Sequence, residues 1–213
     1  MNDDQFVRHV QAQLQARGLY SGKIDGDPGP VTMAALARAL SNDPILSVPE
    51  PADLGVTYPT QAKMVDFYGA AGGKECTAGT VVLPFEFPLA WDDSQKIKRF
   101  SCHTRVAQPL TSIFREAVAH YGETQFRELR LDRFGGCYNY RKMRNGSALS
   151  MHAWGVAVDL DPENNQLKWG RDKATFAKPD YDAWWKIVED HGAVSLGRAR
   201  NYDWMHFQFA RLS

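Results

Sequence analysis

The chain has 213 residues, 44% of them hydrophobic, and its 25 Lys and Arg balance 25 Asp and Glu. That length buries one good core with room for a small second module, and the neutral balance excludes binding nucleic acid or an anionic membrane through a global basic excess. No apolar run approaches the ~18–20 residues that span a bilayer, and the opening MNDDQFVRHVQAQLQARG lacks the basic-then-apolar layout of an export signal, so synthesis as a soluble, monomeric cytosolic protein is expected.

The charge is divided unevenly. Residues 1–60 carry four basic side chains (Arg8, Arg17, Lys23, Arg38) against seven acidic ones, which leaves the remainder basic and fits two modules better than one. Val7, Val10 and Leu14 recur at helical spacing, with Gly18 as a stop. The turn-rich GLYSGKIDGDPGP follows. Pro30 then opens a second helix expected to present Met33, Leu36, Ala37 and Leu40 on one face. This is a small all-helical module over residues 1–42. Residues 43–61, rich in proline and polar side chains and without a sustained period, read as a linker, and 62–213 as the main domain.

In that domain GTVVLPFEF reads as an extended segment. Val106, Leu110, Ile113, Phe114, Ala117 and Tyr121 trace a helical stripe closed by Gly122. Asp180 is placed to cap a fourth helix whose Tyr181, Trp184, Trp185 and Val188 fall at i, i+3, i+4 and i+7, a core-packing pattern. Short β-type runs, VAVDLD and WMHFQF, flank this helix. The expected fold class is therefore α+β, with helices packed on a small antiparallel sheet.

Catalytic zinc takes three protein ligands, His and Asp or Glu among them, and keeps a fourth position for water. SMHAWGVAVDLD supplies His152 and Asp159, and DWMHFQF supplies His206 with Asp203 three residues earlier. Seven extended residues would hold His152 and Asp159 roughly 23 Å apart, so sharing an ion requires a chain reversal, for which Gly155 is suited. Strand alternation sends Met205, Phe207 and Phe209 to the core and His206 with Gln208 to the other face. Asp161 lies on the same strand face as Asp159, and spacing does not choose between them. A lone histidine framed by apolar neighbours is also what a satisfied buried imidazole looks like, and only the pairing of segments points to a metal. Ser150 reads as a hydrogen-bonding support for His152, since no GxSxG elbow surrounds it. His9, His120 and His191 fall on or near helix ends, His103 is given no metal role, and no HExxH is present. Cys76, Cys102 and Cys137, without CxxC spacing, read as ordinary semi-buried thiols.

SMHAWGVAVDLD followed by DWMHFQ resembles the signature of the zinc peptidases grouped with the D-alanyl-D-alanine carboxypeptidases and phage L-alanyl-D-glutamate endopeptidases. The likeness extends through FGGCYNYRKMRNG and SLGRARNYDWMHF and covers most of residues 65–210. The amino-terminal segments VRHVQAQL, GLYSGKIDGDPGPVT and AALARAL separately resemble a peptidoglycan-binding module. The resemblance implies Zn2+ held by His152, Asp159 and His206, with Asp203 as catalytic carboxylate. It further implies Arg141 as the cation for the developing oxyanion, Arg144 being the substitute. The implied function is that of an endolysin, a bacteriolytic hydrolase that cuts peptidoglycan stem peptides, with the L-Ala-D-Glu bond favoured. It would be made in the host cytoplasm and act on the cell wall after release, in phage lysis. The alternatives are a D-alanyl-D-alanine carboxypeptidase and a non-catalytic wall-binding protein whose zinc is structural.

Overall fold

The computed structural model describes residues 3–29, 31–33, 35, 36, 39, 56–144 and 146–212. Most of the expected linker (43–55) and the helix start at Pro30, with Ala37 and Leu40 of its face, lie outside the described residues. The chain divides into two compact units, Met1–Pro49 and Glu50–Ser213.

In the first unit, helix α1 (Asp3–Ala16) buries Leu14 against Tyr20, Ala35 and Ala39, with Val10 and Leu36 packed at the edge. Residues 31–33, 35, 36 and 39 are helical as expected, but Met33 is exposed and Thr32, Ala35 and Ala39 are buried. The inward face is thus one position out of phase with the sequence reading, carried by Thr32, Ala35 and Ala39. The polar loop between the helices is pinned by fully buried Gln11, whose side chain accepts from Gly26 N–H and donates to Asp25 Oδ1, both at 2.9 Å.

The second unit is built on a six-stranded sheet. Two short helices, α2 (Met64–Tyr68) and α3 (Glu75–Ala78), lead into strands β1 (Gly79–Leu89) and β2 (Asp92–Cys102). After helix α4 (Ala107–Glu128) come β3 (Phe134–Gly136), β4 (Ala157–Leu160), helix α5 (Asp182–Asp190), β5 (Val194–Ser195), helix α6 (Leu196–Arg200) and β6 (His206–Gln208). The strand order is β2-β1-β3-β4-β6-β5, antiparallel except for the β1–β3 pair, and the architecture is the expected α+β. Strand β2 escaped the sequence reading because most of its side chains are exposed and only Phe100 and Cys102 are buried. Tyr58 is buried in the core of this unit, four residues ahead of the expected boundary at 62.

Helices α4 and α5 cover one face of the sheet. Leu110, Ile113, Phe114 and Ala117 of α4 are fully buried, and Gly122 (φ 73°) breaks the helix where the stripe ends, although a further helical turn follows. Trp184 of α5 stacks within 6.0 Å of Phe114 and 5.7 Å of Phe207, joining both helices to β6. Each large side chain so buried stabilises the fold by about 1.5–3 kcal/mol. Asp180 does not cap α5. It lies in a 3-10 turn, Pro179–Tyr181, and Tyr181 occupies the cap position, because Pro179 starts the turn one step earlier. Among the described residues no helix is long and apolar enough to cross a membrane.

Candidate metal centre

The site is assembled on strands β4 and β6 and on the turn that precedes β4. Ser150 caps a 3-10 turn, Met151–Trp154, its hydroxyl accepting from His152 N–H at 3.4 Å. Gly155 then takes the left-handed conformation (φ 65°) and returns the chain into β4. A Cβ there would stand 2.2 Å from the backbone oxygen of Cys76, so glycine is demanded by both conformation and space.

Register supplies the next two groups. β4 pairs with β6 so that Asp159 lies directly opposite His206, and Ala157 opposite Gln208. Directly opposed residues of an antiparallel pair project to the same face with Cβ atoms about 4.5–5.5 Å apart. Phe207, between them, points the other way into the helices. Asp161 is elsewhere: the chain leaves the strand before it (φ 42°), and its buried carboxylate is held by Arg130 at 2.8 Å and by Asn164 at 3.0 and 3.1 Å. Met205, expected in the core, lines the cavity instead, since β6 begins only at His206.

His152, Asp159 and His206 each offer one ligand atom, all within 4.8 Å of one another. His152 Nε2 lies 3.2 Å from both His206 Nδ1 and an Asp159 oxygen, and the other Asp159 oxygen is 2.9 Å from His206 Nδ1. The remaining ring nitrogens fix the tautomers. His152 Nδ1 is 2.6 Å from the carbonyl oxygen of Cys137, which can only accept, so Nδ1 carries the proton and Nε2 a lone pair. The Gln208 amide nitrogen donates to Ala210 O, which turns Oε1 toward His206 Nε2 at 3.0 Å and leaves Nδ1 with the lone pair. Two lone pairs and a carboxylate therefore converge with no donor between them, an arrangement that a cation or a shared proton relieves. Burial opposes charge on both partners, yet the neighbouring histidines hold the Asp159 carboxyl well below its usual range, and Asp159 raises His206 despite that burial. Two imidazoles, one carboxylate and room for a further ligand fit zinc.

Asp203 enters through a left-handed turn (φ 55°), its N–H donating to Leu167 O and its carbonyl accepting from His206 N–H, both at 3.0 Å. Trp204 beside it is buried against Gly197, where a Cβ would meet the indole at 2.3 Å. The Asp203 carboxyl faces the cavity with Oδ1 buried and without a partner. Burial pushes its pKa up to about 6, against the opposing pull of His206 and Arg141. Arg141 is half-buried and its carbonyl accepts from Ser150 N–H at 3.0 Å, whereas Arg144 is exposed farther along the same loop. Both line the cavity, whose volume is about 340 Å³.

The structure adds groups to this wall that sequence reasoning did not single out. Gln208 was placed on the face of His206 by alternation, but its orienting hydrogen bond was not foreseen. Gln61, Arg200, Tyr202 and Arg211 also line the cavity, and no local pattern announces them. His103 is buried and bonded through Nε2 to Tyr68 O, and His191 pairs with Glu116 at 3.0 Å, both outside the site. The three cysteines are free and buried.

A family model described as D-alanyl-D-alanine carboxypeptidase matches residues 144–209, the stretch that carries His152, Asp159, Asp203 and His206. No curated protein and no solved structure gives a significant match.

Proposed function

We propose that this chain is a zinc metallopeptidase that hydrolyses stem-peptide bonds of peptidoglycan, with L-Ala-D-Glu as the preferred bond, and that it works as an endolysin. The observation that carries this reading is the convergence of His152 Nε2, Asp159 and His206 Nδ1 with both histidine tautomers fixed. The family match supports a peptidase of the peptidoglycan-acting carboxypeptidase kind. The likeness of the first unit to a wall-binding module supports a tethered enzyme released from the cytoplasm onto the wall.

A zinc ion held by His152, Asp159 and His206 would polarise the scissile carbonyl and lower the pKa of the attacking water. Asp203, whose carboxyl lines the cavity close to His206, accepts the water's proton and passes it to the leaving amine. Arg141, close enough to act electrostatically on Asp203, stabilises negative charge developing on the carbonyl oxygen. Gln208 and the Cys137 carbonyl hold the imidazoles in the one orientation that presents their lone pairs.

A second reading, D-alanyl-D-alanine carboxypeptidase, is favoured by the description of the matched family model. Digestion of purified sacculi with and without a chelator, followed by mass spectrometry, separates the two. A new amino-terminal D-Glu is the expected product. Released D-Ala would install the carboxypeptidase in its place, and no cleavage by zinc-loaded protein would leave a wall-binding protein.

A further inference from the structure

Among the described residues, four arginines, Arg141, Arg144, Arg200 and Arg211, line the cavity, and its acidic members are Asp159 and Asp203. Elsewhere in the same unit Arg127, Arg130, Arg133 and Arg198 each sit against a carboxylate. Arg141, Arg144 and Arg211, by contrast, form no ion pair with any described residue. These three come from two separate segments, the 139–149 loop and the carboxy-terminal end.

Arg211 is the best fixed of them. Its Nε–H donates to Tyr58 O at 2.8 Å and its backbone N–H to Pro59 O at 2.8 Å, so the guanidinium is held at the cavity wall by its inner edge. The Nη groups are left for another acceptor. A guanidinium immobilised in this way pairs with a carboxylate bidentately and loses little side-chain freedom in doing so. Beside it stand Gln61 and Leu212, while Leu167, Leu196 and Met205 give the cavity an apolar lining suited to peptide methyl and methylene groups. One cation near Asp203 serves the reacting carbonyl; Arg211, on the other segment, calls for further negative charge on the substrate.

We propose that the cavity selects peptides carrying a free carboxylate apart from the reacting carbonyl, and that Arg211 is the specificity-determining residue that binds it. The inference rests on the peptidase reading of the site and narrows its substrate class to stem peptides whose acid groups are not amidated. Either an internal acid, such as the α-carboxylate of D-Glu, or the terminal carboxylate could supply this chemistry.

Three synthetic stem peptides distinguish the sources: one with all carboxylates free, one with the D-Glu α-carboxamide, and one with a terminal carboxamide. With the zinc-loaded full chain, amidation of the group bound by Arg211 is expected to lower kcat/KM about tenfold, through KM, because the pair is partly solvent-exposed. Arg211→Gln should bring the free-acid peptide down to the rate of that amidated one, and Arg211→Lys should recover part of the preference. Equal rates for all three peptides with the wild-type chain would overturn the proposal. If none of them is cleaved, the peptidase reading fails, and calorimetric binding to the zinc-free chain at low salt decides the selectivity alone. A preference for free acids that Arg211→Gln removes supports it, and equal or absent binding defeats it. Thermal melts of both variants show that the differences arise from a folded protein.

Discussion

At Asp203 stability and chemistry oppose each other. Its carboxyl is buried with one oxygen unpartnered, and its pKa is raised to about 6. The folded state therefore binds a proton that the unfolded chain, with a carboxyl near 4, has released. Between about pH 4 and 6 the folded state holds more protons than the unfolded one, so stability falls as pH rises through that window and stays lower above it. Asp203→Asn, which keeps the left-handed backbone tolerable, is expected to melt higher than wild type at pH 7 in the zinc-free protein and equally at pH 4. The gain is on the order of 2–3 kcal/mol at most. The same variant should retain zinc by elemental analysis while kcat drops by roughly 10²–10⁴. Full activity would remove Asp203 from the mechanism. In the zinc-loaded wild type, where the nearby cation draws the Asp203 pKa below its zinc-free value, loss of the basic carboxylate should cut kcat/KM on the acid side of pH 6. His152 and His206 were legible as candidates from their polar character amid apolar neighbours. The unpartnered oxygen of Asp203 was not, because it depends on what the fold fails to place beside it.

At the scale of elements, two close approaches position the site. Gly155 turns the chain between His152 and β4 against the Cys76 carbonyl, and Gly197 lets Trp204 lie flat on α6 beside Asp203. Gly155→Ala meets backbone and a left-handed φ together and is expected to destabilise strongly. Gly197→Ala meets the indole and should cost about 1–3 kcal/mol by overpacking. Denaturant unfolding measures both, and a wild-type midpoint for Gly197→Ala would show that Trp204 yields freely. The reversal at Gly155 was deducible from the chain distance between two candidate ligands. The clash at Gly197 involves a partner seven residues away across a turn, and no periodicity reports it. Helices α4 and α5 were readable through their apolar stripes, whereas the short α2 and α3 and the exposed β2 gave no stripe to read.

For the whole molecule, the boundary between units has functional weight. Tyr58 packs in the core, Thr60 bridges Arg211, and Gln61 lines the cavity, so the segment expected to be the end of a linker forms part of the second unit. A chain starting at residue 56 is expected to turn over a soluble stem peptide like the full protein but to digest sacculi more slowly, because it lacks the tether that raises local substrate concentration. A chain starting at residue 62 should instead melt lower and lose turnover on both substrates. Equal melting of the two truncations would show that residues 56–61 contribute nothing to this unit.

The sequence by itself determined the α+β class, the buried faces of α4 and α5, and the two segments that carry His152, Asp159, Asp203 and His206, since each is written in local spacing and residue chemistry. Only the tertiary structure placed Asp159 beside His206 and sent Asp161 to Arg130, and only it brought Gln61 and Arg211 to the same cavity. The physical reason is that strand register and the pairing of chain ends are non-local. A period of two puts Asp159 and Asp161 on one face, and it takes the partner strand, and the place where that pairing stops, to separate them.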